Sequence, residues 1–174
     1  KLKKSIFTAF GMTKKLGRSA DNDPGLASLM NANSPAVCVV GKAWDFHVKV
    51  ALGIKNEENL ENIKETTKHF VKNKKEFLFD AEHFFDGYKA NPSYALDCLK
   101  HAYDSGARWL VLCDTNGGTL PHEISEIVLK VSKSISPNLG PKFFSNSTFW
   151  PRPYGNIRMS ENITAASKPN LLIG

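Results

Sequence analysis

The chain has 174 residues, 41% of them hydrophobic, which suits one globular domain with a core of its own. Its formal charge of +6 comes without an aromatic-interleaved basic stripe, so a solvated basic surface is expected and nucleic acid is not an expected partner. No apolar run approaches the roughly 18–20 residues of a membrane span and nothing at the start resembles a signal peptide, so no membrane partner is expected.

Three cysteines, Cys38, Cys98 and Cys113, lack zinc-type spacing and cannot all pair, which predicts a reducing, cytoplasmic setting. The first residue is Lys rather than Met, as expected of a fragment or a processed chain.

In chain order, residues 5–10 (SIFTAF) predict a short apolar strand running into Gly11, Met12 and Thr13. A short helix follows, with Asp23 as N-cap and Pro24 at its first position, and Pro35 ends that segment. Residues 36–40 are a second strand, followed by GKAWDFHVKVAL. Asn56 opens the longest helix as N-cap, with Glu57 and Glu58 in the first turn and Lys72, Lys74 and Lys75 at the far end. Leu60, Ile63, Phe70 and Val71 form its apolar face.

The stretch 75–118 organises the rest. Phe77-Leu78-Phe79 is an apolar run that stops at Asp80, Glu82, His83 and Asp86. Asn91 and Pro92 start a helix with the stripe Leu96, Leu99, Ala102 and Tyr103, and Gly106 caps its end. Leu110 to Cys113 is a further apolar run, stopping at Asp114, Thr115 and Asn116. A last helix begins near Pro121 and buries Ile124, Ile127, Val128, Val131 and Ile135. Unbroken apolar runs predict strands covered on both faces, as in parallel sheets. Four strands, each followed by a helix, at roughly 30-residue intervals predict an α/β barrel or a doubly wound sheet. After residue 140, four prolines and scattered aromatics predict an irregular tail with at most one short helix or strand. Asn146 and Asn162 match the glycosylation pattern, which carries little weight without secretion.

In parallel α/β folds, ligands sit at the carboxyl ends of the strands, where these acidic and hydroxyl residues fall. Each also has a bland reading. Glu82 and Asp80 can cap or salt-bridge a strand end, and Thr115 to Gly118 can be an ordinary polar turn. His47 can be a hydrogen-bonded structural histidine, and His101 and His122 surface residues on helices.

Four segments in this order, AFGMT (9–13), GKAWDFHV (41–48), FDAEHFFDGYKANPSYAL (79–96) and WLVLCDTNGGTLPHEI (109–124), resemble the catalytic barrel of the (R)-citramalate synthase / 2-isopropylmalate synthase family. The resemblance covers roughly residues 5–136. It implies part of a (β/α)8 TIM barrel, about four consecutive βα units over residues 1–139, with 140–174 as a tail outside the family pattern. It also implies condensation of acetyl-CoA with a 2-oxo acid, most simply pyruvate to give citramalate, in leucine and isoleucine biosynthesis. A divalent metal, Mg or Mn, chelates the 2-oxo acid in such enzymes, a base takes the methyl proton, and thioester hydrolysis follows. Glu82 matches the family's active-site glutamate. Thr115 matches the threonine that helps hold the substrate carboxylate, and Asp80, His47 and Asn116 are further substrate-binding candidates beside Asp45, His83 and Asp114.

The sequence departs from the family where metal is held. An Arg-Asp-Gly strand should supply one ligand and a His-x-His strand two more, and neither occurs here. The expectation is therefore no metal site in this chain, and a fragment that is catalytically incompetent alone. The competing expectation is a non-enzymatic half-barrel that pairs with itself or with a full-length paralogue through open sheet edges. A small doubly wound binding domain is a third reading, and DTNGG is not the phosphate loop it would need.

Overall fold

A computed structural model of the chain describes residues 6–135, 143–145 and 170–173. Four parallel strands follow one another across the sheet in chain order: β1 (Thr8–Met12), β2 (Ala36–Lys42), β3 (Glu76–Glu82) and β4 (Trp109–Leu112). Helices make the crossovers that parallel neighbours need. They are α1 (Pro24–Asn31) between β1 and β2, then α2 (Asp45–His47) and α3 (Asn56–Lys72) between β2 and β3. Next come α4 (Phe84–Ala90) and α5 (Pro92–Asp104) between β3 and β4, with α6 (Pro121–Ile135) last. Sequential parallel winding of this kind is the pattern of a TIM barrel, here four βα units of it.

One face of the sheet carries the core. Val37, Val39, Phe77, Phe79, Leu110 and Leu112 are buried against helix residues such as Leu26, Ile63, Phe70, Leu99 and Val128. The alternate residues Cys38, Val40, Leu78, Asp80 and Val111 are only half-buried, and on β1 Phe10 and Met12 remain 65% and 53% exposed. The strands are thus not covered on both faces, as their apolar runs had suggested. Their second face is the one that turns toward the interior of a closed barrel.

Local signals explain the element ends. The Asp23 carboxylate caps α1 by accepting from the Gly25 and Leu26 N–H groups at 2.8 and 3.1 Å, and it ties in the preceding loop by accepting from Lys15 N–H. Asn91 caps α5 by accepting from Tyr94 N–H at 3.2 Å. That helix ends in a Schellman motif: Gly106 at φ 99° and Ala107 donate to the Tyr103 and Ala102 carbonyls. The start of α3 differs by one residue from the sequence reading. Lys55 is the N-cap, its N–H donates to Glu58 at 2.7 Å, and Asn56 is already helical. Strand β3 runs past the expected stop to Glu82, because Asp80 and Ala81 still pair with Val111 and Leu112.

Two tail segments join the sheet where at most one was expected. Asn170–Ile173 (β6) pairs in parallel with β4, and Phe143–Ser145 (β5) pairs in parallel with β6. The resulting order, β1-β2-β3-β4-β6-β5, departs from sequential barrel winding after β4. The remaining tail, including Asn146 and Asn162, lies outside the described residues. Among the described residues, no helix is long and apolar enough to cross a membrane.

Candidate active site at the carboxyl ends of the strands

Lys42 and Glu82 end neighbouring strands in direct register, so parallel pairing places both side chains on the half-covered face. The Lys42 ammonium donates to the Glu82 carboxylate in an ion pair, with the side chains 21% and 28% exposed. The backbone of Lys42 is fixed from behind. Its carbonyl accepts from Asn59 Nδ2 at 2.9 Å and lies 3.7 Å from the Cys98 sulfur. Asn59 in turn donates to the Tyr94 hydroxyl at 2.8 Å.

Beside this pair lies a cluster of rings. His47 and His83 meet edge to face with centroids 4.3 Å apart, and Trp44 packs 4.7 Å from His47 and 6.1 Å from His83. Both Nδ1 atoms are buried and make no hydrogen bond, although His83 Nδ1 lies 3.6 Å from the Asp86 carboxylate. Burial, then the nearby His83 and Lys42 charges, push the His47 pKa below its usual range against the opposing pull of Glu82 and Asp86. His83 adopts the left-handed region at φ 55°, uncommon for a residue with a Cβ. Two bonds hold it there: its N–H donates to Thr115 Oγ1 at 2.9 Å, and the next N–H, of Phe84, donates to the Cys113 carbonyl at 3.1 Å. Asn116 Nδ2 donates to Asp86 at 2.9 Å. The turn after β4 is thereby strapped to the start of α4.

Asp80 sits two residues before Glu82 on the same face. The Cys113 thiol donates to its carboxylate at 2.6 Å. Burial raises the Asp80 pKa, the thiol bond opposes this, and the Glu82 charge adds to it. Burial and the Asp80 charge push the Cys38 thiol up to about 12 and Cys113 further still, which disfavours the thiolate of each. Asp114 turns away from the cluster, accepting from Thr119 N–H at 3.2 Å and Thr119 Oγ1 at 2.9 Å. Asp45 accepts from Asn91 Nδ2 at 2.7 Å.

Glu82, His47 and His83 therefore gather at one strand end, with Asp80 just below them. Thr115 and Asn116 reach the cluster through His83 and Asp86, while Asp45 and Asp114 serve turns. Lys42 and Trp44 lie within GKAWDFHV but are not among the site candidates read from the sequence. Lys42 falls in phase with Cys38 and Val40 along β2, and that alternation is the signal that finds it. Divalent metal does not fit this set. Among the described residues, no three His, Cys, Asp or Glu side chains converge as a metal requires. The carboxylates of Glu82, Asp80, Asp114 and Asp45 are each already held by a donor.

No family model matches the chain. The (R)-citramalate synthase of Aquifex aeolicus is 52% identical to it over 131 residues, which make up 75% of this chain and 25% of that protein. The (R)-citramalate synthase of Geobacter sulfurreducens is 48% identical over 140 residues, 80% of this chain and 26% of that protein. The HMG-CoA lyase from Brucella melitensis shares the fold, with a TM-score of 0.60 at 14% identity over 76% of this chain and 44% of that one. With about half of the residues identical across three quarters of its length, the chain is similar over that stretch to (R)-citramalate synthases, and it spans about a quarter of the length of the curated relatives it matches.

Proposed function

We propose that this chain carries the central strand-end portion of an active site that condenses acetyl-CoA with a 2-oxo acid, pyruvate, to give citramalate. The observation that carries this reading is Glu82 beside Lys42, His47 and His83 at the carboxyl ends of adjacent parallel strands. In this reading Glu82 takes a proton from the acetyl methyl group as that C–H bond breaks. The electron pair left on carbon attacks C2 of the 2-oxo acid, a proton is added to the resulting alkoxide, and water cleaves the thioester to release CoA. Thr115, already accepting from His83 N–H, still has its own hydroxyl proton to donate to the substrate carboxylate. Asp80, His47 and Asn116 line or brace the same place.

The chain by itself is inactive in this reading, since the Arg-Asp-Gly and His-x-His segments do not occur in its sequence. The test is a chimera in which the matched segment of the Aquifex aeolicus relative is replaced by its counterpart here. The chimera should form citramalate from acetyl-CoA and pyruvate, and Glu82→Gln should lower the rate by at least about 100-fold. A folded chimera without activity, or one indifferent to Glu82→Gln, refutes the assignment.

A second reading rests on Phe10 and Met12, exposed on the half-covered face of the edge strand β1. Such a face favours association with another copy or with a full-length paralogue. A discrete dimer in size-exclusion chromatography supports this, and a monomer at high concentration opposes it.

A further inference from the structure

We infer that Lys42 is the carboxylate-binding cation of this site, exchanging the Glu82 carboxylate for that of the incoming 2-oxo acid. This rests on the condensation reading for the identity of the anion, and on four features of the chain for the rest. Register is the first: Lys42 and Glu82 are paired residues at the ends of β2 and β3, so the ammonium stands at the strand-end mouth. Anchoring is the second: Asn59 fixes the Lys42 carbonyl, so the side chain is delivered from a rigid base. Partial cover is the third: the Lys42 side chain is 21% exposed, so it is reachable by a small anion yet less screened by water than a surface lysine.

The fourth feature is chemical. Glu82 is a weaker proton acceptor while Lys42 neutralises its carboxylate. An anionic substrate that draws Lys42 away frees the carboxylate as it arrives, so binding of the 2-oxo acid precedes removal of the methyl proton. A lysine in this role offers a point charge rather than a bidentate fork, which suits a partner that must be exchanged.

The pair makes predictions of opposite sign, which a merely structural ion pair does not. The probe is oxamate, an unreactive anion of pyruvate's size, titrated into the full chain and followed by NMR at constant ionic strength with chloride as control. Wild type should show saturable binding. Lys42→Gln should weaken it about tenfold or more, and Lys42→Arg should keep it within a few-fold. Glu82→Gln removes the internal competitor and should tighten binding. Folding of each variant is checked by its backbone spectrum. Unchanged oxamate binding in folded Lys42→Gln, weaker binding in Glu82→Gln, or no saturable binding in wild type overturns the Lys42 role. The chimera assay addresses the condensation separately: an active chimera whose parent chain binds oxamate without Lys42 leaves the function standing and removes this inference alone.

Discussion

Gly87 is where α4 meets the turn after β2, and its replacement by alanine sets two effects of known sign against each other. In an open helix interior, Gly→Ala gains about 1 kcal/mol, from propensity and from a less flexible unfolded chain. A Cβ at Gly87, however, would stand 2.4 Å from the Ala43 carbonyl oxygen, 2.9 Å from Trp44 Cα and 3.1 Å from the Ala43 carbonyl carbon. All three are backbone atoms, so no rotamer change relieves the overlap. Restoring van der Waals distance requires α4 and the turn to separate by about 1 Å. With a 2.4 Å approach between backbone atoms, forcing such a shift falls in the upper part of the overpacking range, about 2–3 kcal/mol, so the clash outweighs the propensity gain. The turn cannot move alone, because Ala43 N–H donates to the Glu82 carbonyl at 3.2 Å and Trp44 packs on His47. Gly87→Ala should therefore lower stability by about 1–2 kcal/mol in urea unfolding at an unchanged m-value, and should shift the His47 resonances. A Gly87→Ala protein as stable as wild type, or more stable, would refute the close-approach account.

Three further outcomes follow from the site. Thr115→Val removes the acceptor that holds His83 N–H at positive φ and should cost about 1 kcal/mol, whereas Thr115→Ser should be near neutral; denaturant midpoints separate the two. The folded pKa of Asp80 is raised, so the protonated carboxyl favours the fold and stability falls as pH rises from 3.8 through the folded value. Asp80→Asn should flatten that limb of the stability–pH curve and leave the protein no less stable at pH 7. His47 has the opposite sense. Its folded pKa is lowered, so its contribution is present above 6.5 and is lost as pH falls through that value toward the folded one. Thermal melts should show His47→Gln less sensitive to pH than wild type between pH 7.5 and the acid side of 6.5; equal sensitivity would remove His47 as the titrating group.

The legible parts of the chain were those where one local rule decides. Asp23 with Pro24, Asn91 with Pro92, and Gly106 mark helix ends by capping chemistry alone, and each sits where that chemistry predicts. Glu82 stood out as one of the acidic residues where the Phe77 to Phe79 run stops, and its proposed role came from the family resemblance rather than from the run. Lys42 did not stand out, since a lysine after Val39-Val40-Gly41 looks like a solvated strand end until the register with Glu82 is known. The pairing of Thr115 with His83 spans 32 residues and depends on two turns meeting, which no local pattern encodes. Likewise, an apolar run such as Leu110 to Leu112 cannot say whether its second face is covered; that depends on what closes the sheet.

The same register argument explains why chemistry gathers between β2 and β3. Parallel pairing from Ala36↔Glu76 to Lys42↔Glu82 fixes seven residue pairs, so a one-residue slip of either strand would turn that strand's charge into the helix-packed core. Burying Lys42 or Glu82 there without its partner, among Val37, Val39, Phe77 and Phe79, would cost far more than any gain from the slipped ladder. The apolar residues thus lock the register, and the register aligns the cation with the carboxylate. Core packing and site geometry are set by the same alternation. A substitution that slips β2 against β3 should therefore abolish the site and the fold together, whereas one confined to the Lys42 or Glu82 side chain should change the site and spare the fold.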